Sequence, residues 1–409
     1  MSEERRKIWL VGIGMGSEES LTYEAKRILE QSDCIIGAER MIERFVGKGI
    51  PCVNEYRPDV IREYVKSNPG QKKIAVALSG DVGFYSAAKR LEELLMEKEF
   101  WEEELPVVIR IPGISSATYL AAALHMEWED IYLVSMHGRR QNFINAVNRH
   151  EKTFLLMGGK GCGEEVVEKL SYYGLKDVVV HIGKNLSYPD EEMITKRAGE
   201  LKTADLEGLC AAVIENPNPQ KNVFRHLEDE AFERGKVPMT KSEVRTVCMA
   251  KLRLKEDAVL YDVGAGTGSI AIEAALQSDK IKVYAIEKNS EGVMLIRENS
   301  RKFRTDTVEI VQGYAPEALK MLEPPTHVFI GGSSGNLKEI ITCVKEKNKN
   351  VRIVLTCISL DTLRKVMEAV EEGILREPEI VQISAAKSKL LGRHHMMTGE
   401  NPIYIISEE

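Results

Sequence analysis

Short apolar runs alternate along this chain with longer stretches in which apolar residues recur every three or four positions. That alternation runs through both halves and is the pattern of α/β domains. In the first half Ile8–Ile13 is predicted as a strand and Glu19–Gln31 as a helix. Three more strand-then-helix pairs follow: Lys73–Leu78 with Phe84–Lys98, Val107–Ile111 with Ser115–Leu124, and Ile131–Ser135 with Asn142–Arg149. Thr153–Met157 precedes a helical Glu164–Tyr173. After Asp177–Ile182 the pattern turns irregular and strand-rich, ending at Leu209–Ile214.

Asn216-Pro217-Asn218-Pro219-Gln220 interrupts this pattern, because prolines two apart disfavour both a helix and a central strand. A charged segment, Phe224–Lys236, then leads to Val237-Pro238. The expected domains are therefore 1–215 and 237–409, joined by a linker over 216–236. In the second domain Ala258–Val263, Lys282–Ile286, Thr307–Val311, His327–Ile330 and Val351–Thr356 read as five strands. Ser269–Gln277, Glu291–Phe303 and Leu337–Lys347 read as helices between them. Glu379–Ser384 and Ile403–Ser407 close the chain, which predicts a seven-strand sheet whose last pair is antiparallel. No internal repeat links the halves.

A length of 409 residues fits two domains, and 43% apolar with 29% charged residues fits a soluble globular protein. Lys and Arg number 56 against 63 Asp and Glu, a net charge of −7. An acidic chain argues against broad contact with nucleic acid or a membrane surface, while permitting a local basic pocket. No apolar run reaches the roughly 18–20 residues of a membrane span, and the N-terminus has no signal-peptide core. Seven cysteines lie far apart without a CxxC, the usage of a reduced, cytoplasmic protein. No metal is expected: the adjacent His394 and His395 would point to opposite faces of a strand.

The strongest local motif is Tyr261-Asp262-Val263-Gly264-Ala265-Gly266-Thr267-Gly268-Ser269, which follows a strand and opens a helix. Its G-x-G-x-G spacing is one residue shorter than the dinucleotide fingerprint, so it suits a cofactor without a pyrophosphate. Glu287 ends the next strand, 19 residues after Gly268, where a carboxylate can accept both ribose hydroxyls. The constellation resembles the Class I S-adenosylmethionine-dependent methyltransferases. Flanking motifs narrow the match: Val237-Pro238-Met239-Thr240-Lys241-Ser242-Glu243-Val244-Arg245, Gly313-Tyr314-Ala315-Pro316-Glu317-Ala318-Leu319, and Phe329-Ile330-Gly331-Gly332-Ser333-Ser334-Gly335. With them, residues 237–409 resemble the C15-methylating, decarboxylating enzymes of cobalamin synthesis. The resemblance implies a Rossmann-like seven-strand fold with S-adenosylmethionine held by Thr240, Gly264, Ala265, Gly266, Thr267, Gly268, Glu287 and Ala315. Ser334 stands where that family usually has glycine, and a serine there is tolerated if the backbone keeps φ < 0.

In the first half Val11-Gly12-Ile13-Gly14-Met15-Gly16, Leu78-Ser79-Gly80-Asp81-Val82-Gly83-Phe84-Tyr85-Ser86, Ile111-Pro112-Gly113-Ile114-Ser115-Ser116, Ser135-Met136-His137-Gly138-Arg139 and Met157-Gly158-Gly159 each fall at a strand's carboxyl end. That is the edge where open α/β sheets bind ligands. In this order the motifs resemble the tetrapyrrole methylases, a different methyltransferase fold of two α/β subdomains, over about residues 6–215. Proline is usual in that family at the positions of Met15 and Val82. The resemblance puts S-adenosylmethionine near Gly80, Asp81, Phe84, Ser115, Ser116 and Met157, with Gly14 lining the substrate trough. The order of the halves resembles the bifunctional, decarboxylating precorrin-6Y C5,15-methyltransferases, commonly oligomeric, with C5 methylated by the first half. It implies C15 methylation and decarboxylation of the ring-C (C12) acetate by the second, on a precorrin or cobalt-precorrin.

Such a substrate carries many carboxylates, so local cations are expected. His137, Arg139, Lys241, Arg245 and Arg393 are the substrate-binding candidates, with Arg140, Lys387, Lys389 and His394 nearby in sequence. Arginine suits carboxylates through its bidentate fork. His137, beside a glycine turn, suits a hydrogen-bond donor better than a general base, and Cys162 reads as a small turn residue. No catalytic acid or base is assigned, since the meso carbons of a reduced tetrapyrrole are already nucleophilic. The competing readings are an NAD(P)-dependent oxidoreductase, disfavoured by the glycine spacing, and a nucleic-acid methyltransferase, disfavoured by charge and by the lack of an Asp/Asn-Pro-Pro-Tyr loop. A third is a half retained as a regulatory methyltransferase-like module, against which the intact glycines of both halves argue.

Overall fold

The computed structural model describes residues 5–101, 104–136, 142–159, 161–220 and 226–408. The chain forms two compact units, one of Met1–Arg139, Glu151–Glu168 and Lys176–Pro217, the other of Arg140–His150, Lys169–Leu175 and Asn218–Glu409.

The first unit holds two five-stranded sheets. Strands β1 (Lys7–Gly12), β2 (Cys34–Gly37), β3 (Cys52–Asn54), β4 (Lys73–Leu78) and β5 (Val107–Ile111) form an all-parallel sheet in the order β3-β2-β4-β1-β5. The central β4 is buried along Ile74–Ala77, as parallel strands covered on both faces are. Thr22 caps the helix Tyr23–Glu30 by accepting the Ala25 N–H, and Ser115 caps Ser116–Ala123 by accepting that of Thr118. Strands β6 (Ile131–Ser135), β7 (Lys152–Leu156), β8 (Val179–Lys184), β9 (Glu192–Arg197) and β10 (Cys210–Glu215) form the second, mixed sheet in the order β6-β7-β10-β8-β9. Two differences from the sequence reading stand out. Strands β2 and β3, of four and three residues, are too short to carry a periodic signal. The helix expected from Phe84 begins at Ala88, because Gly80 and Tyr85 take left-handed φ values of 69° and 46° and keep the preceding segment in a loop.

In the second unit β11 (Val259–Val263), β12 (Lys282–Glu287), β13 (Val308–Gln312), β14 (His327–Ile330), β15 (Arg352–Cys357) and β16 (Glu379–Ile383) are followed by the hairpin strands β17 (Ala386–Leu391) and β18 (His394–Gly399) and by β19 (Ile403–Glu408). Seven of them make one sheet in the order β13-β12-β11-β14-β15-β19-β16. Only β19 is reversed, and it pairs antiparallel with both β15 and β16. Alternation along the strands divides the core. Leu260, Val283 and Ala285 pack with the helices Ser242–Leu252, Ser269–Gln277 and Ser290–Phe303 on one face, while Tyr261, Val263, Tyr284 and Ile286 pack with Leu337–Lys347 and Leu360–Glu371 on the other. The β17–β18 hairpin lies outside this sheet and is exposed along almost its whole length. Its sequence lacks the alternation that would have announced it.

The end of the expected linker is built into this unit. Backbone N–H groups of Leu227, Glu233 and Lys236 donate to the side chains of Glu273, Asn299 and Glu291 at 3.0, 2.7 and 2.8 Å. Among the described residues no helix is long and apolar enough to cross a membrane.

Candidate functional site

At the carboxyl edge of the seven-strand sheet the chain leaves β11 through Gly264. Its φ is +74°, and a Cβ there would lie 2.8 Å from the Gly332 nitrogen and 2.7 Å from its carbonyl oxygen. Only glycine lets the loop after β11 meet the loop after β14 so closely. Gly266 approaches Pro238 in the same way, with a Cβ position 2.5 Å from the proline carbonyl oxygen. Glu287, at the end of β12, is buried and fixes the loop: Oε2 accepts the Gly266 N–H and Oε1 the Asn289 N–H, both at 2.8 Å.

These pieces enclose a cavity of about 270 Å³ lined by Val237, Pro238, Gly264, Gly266, Glu287, Lys288, Asn289, Gly313, Tyr314, Ala315 and Gly331–Ser334. A second, larger cavity of about 810 Å³ is lined by Thr240, Lys241, Ala265, Thr356, Ser359, Thr362, Glu400 and Asn401, among others. Both share Pro238, Gly264 and Gly331–Ser334 as a wall.

The smaller cavity fits a nucleoside cofactor. Each Glu287 oxygen accepts one backbone N–H and keeps a second acceptor position, as ribose hydroxyls require. Beneath the loop Asp262 Oδ2 accepts the Ala271 N–H at 3.0 Å, whereas the buried Oδ1 has no hydrogen-bond partner among the described residues. Burial, reinforced by the Glu287 charge, pushes the Asp262 carboxyl up to about 7. Of the residues expected to hold a cofactor here, Gly264, Gly266, Glu287 and Ala315 line the smaller cavity, and Thr240 and Ala265 the larger. Thr267 and Gly268 line neither. Thr267 is fully buried behind the loop, and Gly268 caps the helix Ser269–Gln277 at φ +80°.

Three further expectations change. Arg245 is fully buried, with Nε on Glu273 at 2.6 Å and Nη1 on Asp229 at 3.2 Å and on the Thr240 carbonyl at 2.6 Å; Nη2 donates to the Leu227 carbonyl. Its guanidinium is consumed inside the fold, so Arg245 holds Thr240 in place instead of reaching a substrate. Ser334 has φ +50°, so the condition for an unstrained serine is not met, and this region costs a non-glycine residue roughly 1–2 kcal/mol. Arg393 lies at the exposed turn of the β17–β18 hairpin, and none of the residues lining either cavity comes from that turn. Lys241 does line the larger cavity, with Nζ 3.9 Å from Asp229. Lys288 and Asn289 were not singled out by sequence, although their place directly after the strand-end acid was the available signal.

In the first unit three strand ends converge. Gly14 and Gly80 exchange backbone hydrogen bonds at 3.2 and 2.8 Å, and a Cβ on Gly113 would lie 2.3 Å from the Gly80 oxygen. Asp81 ties these loops together by accepting the N–H groups of Gly83 at 2.8 Å and Gly113 at 2.9 Å. Phe84 packs edge-on against Phe154 of β7, Ser115 and Ser116 start their helix, and Met157 Sδ lies 3.9 Å from Cys162 Sγ. Burial pushes the Cys162 thiol up, away from nucleophile behaviour. His137, Arg139 and Arg140 lie outside the described residues. Among the described residues no group of His, Cys, Asp and Glu could hold a metal ion.

A seven-strand sheet with one reversed terminal strand, a glycine loop after its first strand and an acid closing its second define a methyltransferase of the S-adenosylmethionine-dependent class. Residues 230–408 match the family described as precorrin methyltransferase domain, and residues 7–202 match the tetrapyrrole (corrin/porphyrin) methylases. The probable cobalt-precorrin-6B C(15)-methyltransferase (decarboxylating) of Pyrobaculum calidifontis is 42% identical over 184 residues, 44% of this chain and 94% of that protein. The cobalt-precorrin-6B C(15)-methyltransferase (decarboxylating) of Salmonella typhimurium is 35% identical over 183 residues, 44% of this chain and 94% of its own length. The crystal structure of precorrin-6Y C5,15-methyltransferase from Geobacter metallireducens GS-15 shares 39% identity, covers 44% of this chain and 94% of its own, and has a TM-score of 0.42. The chain belongs to the precorrin methyltransferases, with a tetrapyrrole methylase half preceding the precorrin methyltransferase half.

Proposed function

We propose that the chain is a bifunctional C-methyltransferase of cobalamin biosynthesis. Residues 237–409 methylate C15 of a precorrin or cobalt-precorrin and release the ring-C (C12) acetate carboxyl as carbon dioxide, while residues 1–215 methylate C5. The observation that carries this reading is the pair of adjoining cavities in the second unit. One is of nucleoside size beside Glu287, the other about three times larger and open enough for a macrocycle, and they share the wall Gly264 and Gly331–Ser334.

S-adenosylmethionine, when bound, supplies a methyl group activated on a sulfonium. Glu287 would take the ribose hydroxyls, and the backbone around Gly264 and Ala265 would set the cofactor's depth. The near contact of Gly264 with Gly332 leaves no Cβ between the cavities, so donor and acceptor carbon can approach in line. Holding two reactants in that geometry, away from water, supplies much of such a rate enhancement. In the decarboxylation the electron pair of the breaking C–C bond enters the conjugated macrocycle and a proton is taken up at carbon. Lys241, on the wall of the larger cavity, is the cation placed to orient a substrate carboxylate.

In the first unit the same cofactor would be held by Gly80, Asp81, Phe84, Ser115, Ser116 and Met157, with Gly14 toward the substrate. All seven cysteines are free thiols, which supports a cytoplasmic setting. The exposed Leu390, Leu391, Met396 and Met397 of the hairpin support a homo-oligomer. Neither nucleic acid nor membrane is part of this reading. Calorimetric titration of the intact chain tests it: S-adenosylhomocysteine should bind and NADH should not, and the reverse would favour an oxidoreductase.

A further inference from the structure

Lys288 and Ser334 stand on different walls of the smaller cavity, at the carboxyl ends of β12 and β14. Lys288 Nζ donates to Ser334 Oγ at 2.8 Å, and the same ammonium lies 5.3 Å from the centroid of the Tyr314 ring, which forms a third part of the lining. All three residues are exposed, so this contact runs along the outer rim and not through the floor. A cation over an aromatic face is attracted to it, which gives the lysine a second hold.

Ser334 adopts φ +50° and is followed by Gly335 at φ +98°. Glycine would take that backbone without strain, yet glycine has no hydroxyl to receive the lysine. The side chain that makes the residue costly in this conformation is therefore the one that makes the contact across the rim. Neither the loop's turn nor its packing against Gly264 uses the Ser334 hydroxyl. The hydrogen bond to Lys288 is what the serine adds.

We propose that Lys288, Ser334 and Tyr314 form a latch over the cofactor cavity, which must open for the nucleoside to enter and which slows its departure once closed. The inference rests on the reading of this cavity as the S-adenosylmethionine site. It makes Lys288 and Ser334 positioning residues that set the residence time of the cofactor and of its demethylated product.

The test uses the full chain loaded with radiolabelled S-adenosylhomocysteine and chased with unlabelled compound. Release from the second unit is identified as the phase that Glu287→Ala abolishes or accelerates. Ser334→Gly relieves the strained backbone and Ser334→Ala retains it, while both remove the hydroxyl; Lys288→Met removes the donor. Each should speed that phase by about two- to tenfold, the loss of one hydrogen bond. The Lys288→Met/Ser334→Gly double variant should be no faster than the faster single variant. Unchanged release in all the single variants, with the Glu287-dependent phase present in the parent protein, overturns the latch alone. Additive acceleration in the double variant also overturns it, since the two residues would then act separately. Absence of any Glu287-dependent phase in the parent protein overturns the cofactor reading and the latch with it.

Discussion

Glu287 carries two duties at once. Its carboxylate fixes the glycine loop through Gly266 and borders the cavity where a ribose is expected. Glu287→Gln keeps the size of the side chain but sets an amide N–H against a backbone N–H. S-adenosylhomocysteine affinity at this site should fall by about 1.5–3 kcal/mol, the range for hydrogen bonds to a charged group. Isothermal titration of the intact chain measures it, and an unchanged affinity would remove Glu287 from the ribose contact. Asp262 gives a pH signature. Its carboxyl titrates near 7 in the fold against an ordinary value of 3.8, because burial disfavours the charge. Ionisation of Asp262 therefore costs no stability below the ordinary value, costs progressively more as pH rises toward 7, and costs the full amount above it. Asp262→Asn should gain thermal stability relative to the parent between those limits, with the gain levelling off above pH 7. A difference that is flat with pH would count against the shifted carboxyl. At this scale the sequence was informative wherever a residue type implied a backbone: Gly264 and Gly113 are glycines because no Cβ fits. It was silent on Ser334, which combines a left-handed backbone with a hydroxyl bonded to Lys288, 46 residues away, a contact that no local pattern encodes.

The strands of the main sheet and the helices Ser269–Gln277, Ser290–Phe303 and Leu337–Lys347 were legible from apolar periodicity, whereas Ser242–Leu252 and Leu360–Glu371 were not read from the sequence. Asn289 caps the helix Ser290–Phe303 immediately after the strand-end acid, so one short turn sets both the helix and the cavity wall. Arg245 shows where such reading stops. A basic residue three positions after Ser242 looks available to a carboxylate substrate, and only the tertiary structure shows Glu273 and Asp229 closing on it from other elements. Its burial joins the arm at 227–232 to the helices Ser242–Leu252 and Ser269–Gln277, and it holds the Thr240 carbonyl beside the larger cavity. Arg245→Met would strand two buried carboxylates and should destabilise this unit by about 3–5 kcal/mol, as when one partner of a buried ion pair is removed. Denaturant unfolding followed by fluorescence measures the loss. A loss below about 1 kcal/mol, the value of an exposed pair, would contradict the buried role. The β17–β18 hairpin marks the same limit from the other side. Lys387 on it reaches Glu243 at 3.0 Å, but its mixed sequence gave no strand signal.

At the scale of the whole molecule two different sheets each present glycine-lined strand ends, and each half matches its own methyltransferase family. Two cofactor sites per chain are therefore expected. Equilibrium dialysis of the intact protein should saturate at two equivalents of S-adenosylhomocysteine, and Gly264→Ala should remove one of them. Alanine at that position would carry a left-handed φ and clash with the Gly332 backbone. The mass of the product reports both methylations and the decarboxylation at once. The intact chain is supplied with a precorrin-6B-type substrate and S-adenosylmethionine carrying a deuterated methyl group, and the corrinoid is analysed by mass spectrometry. A bifunctional, decarboxylating enzyme yields a product with two labelled methyl groups gained and one carbon dioxide lost. A product that keeps all its carboxylates, or that gains no label, would contradict it.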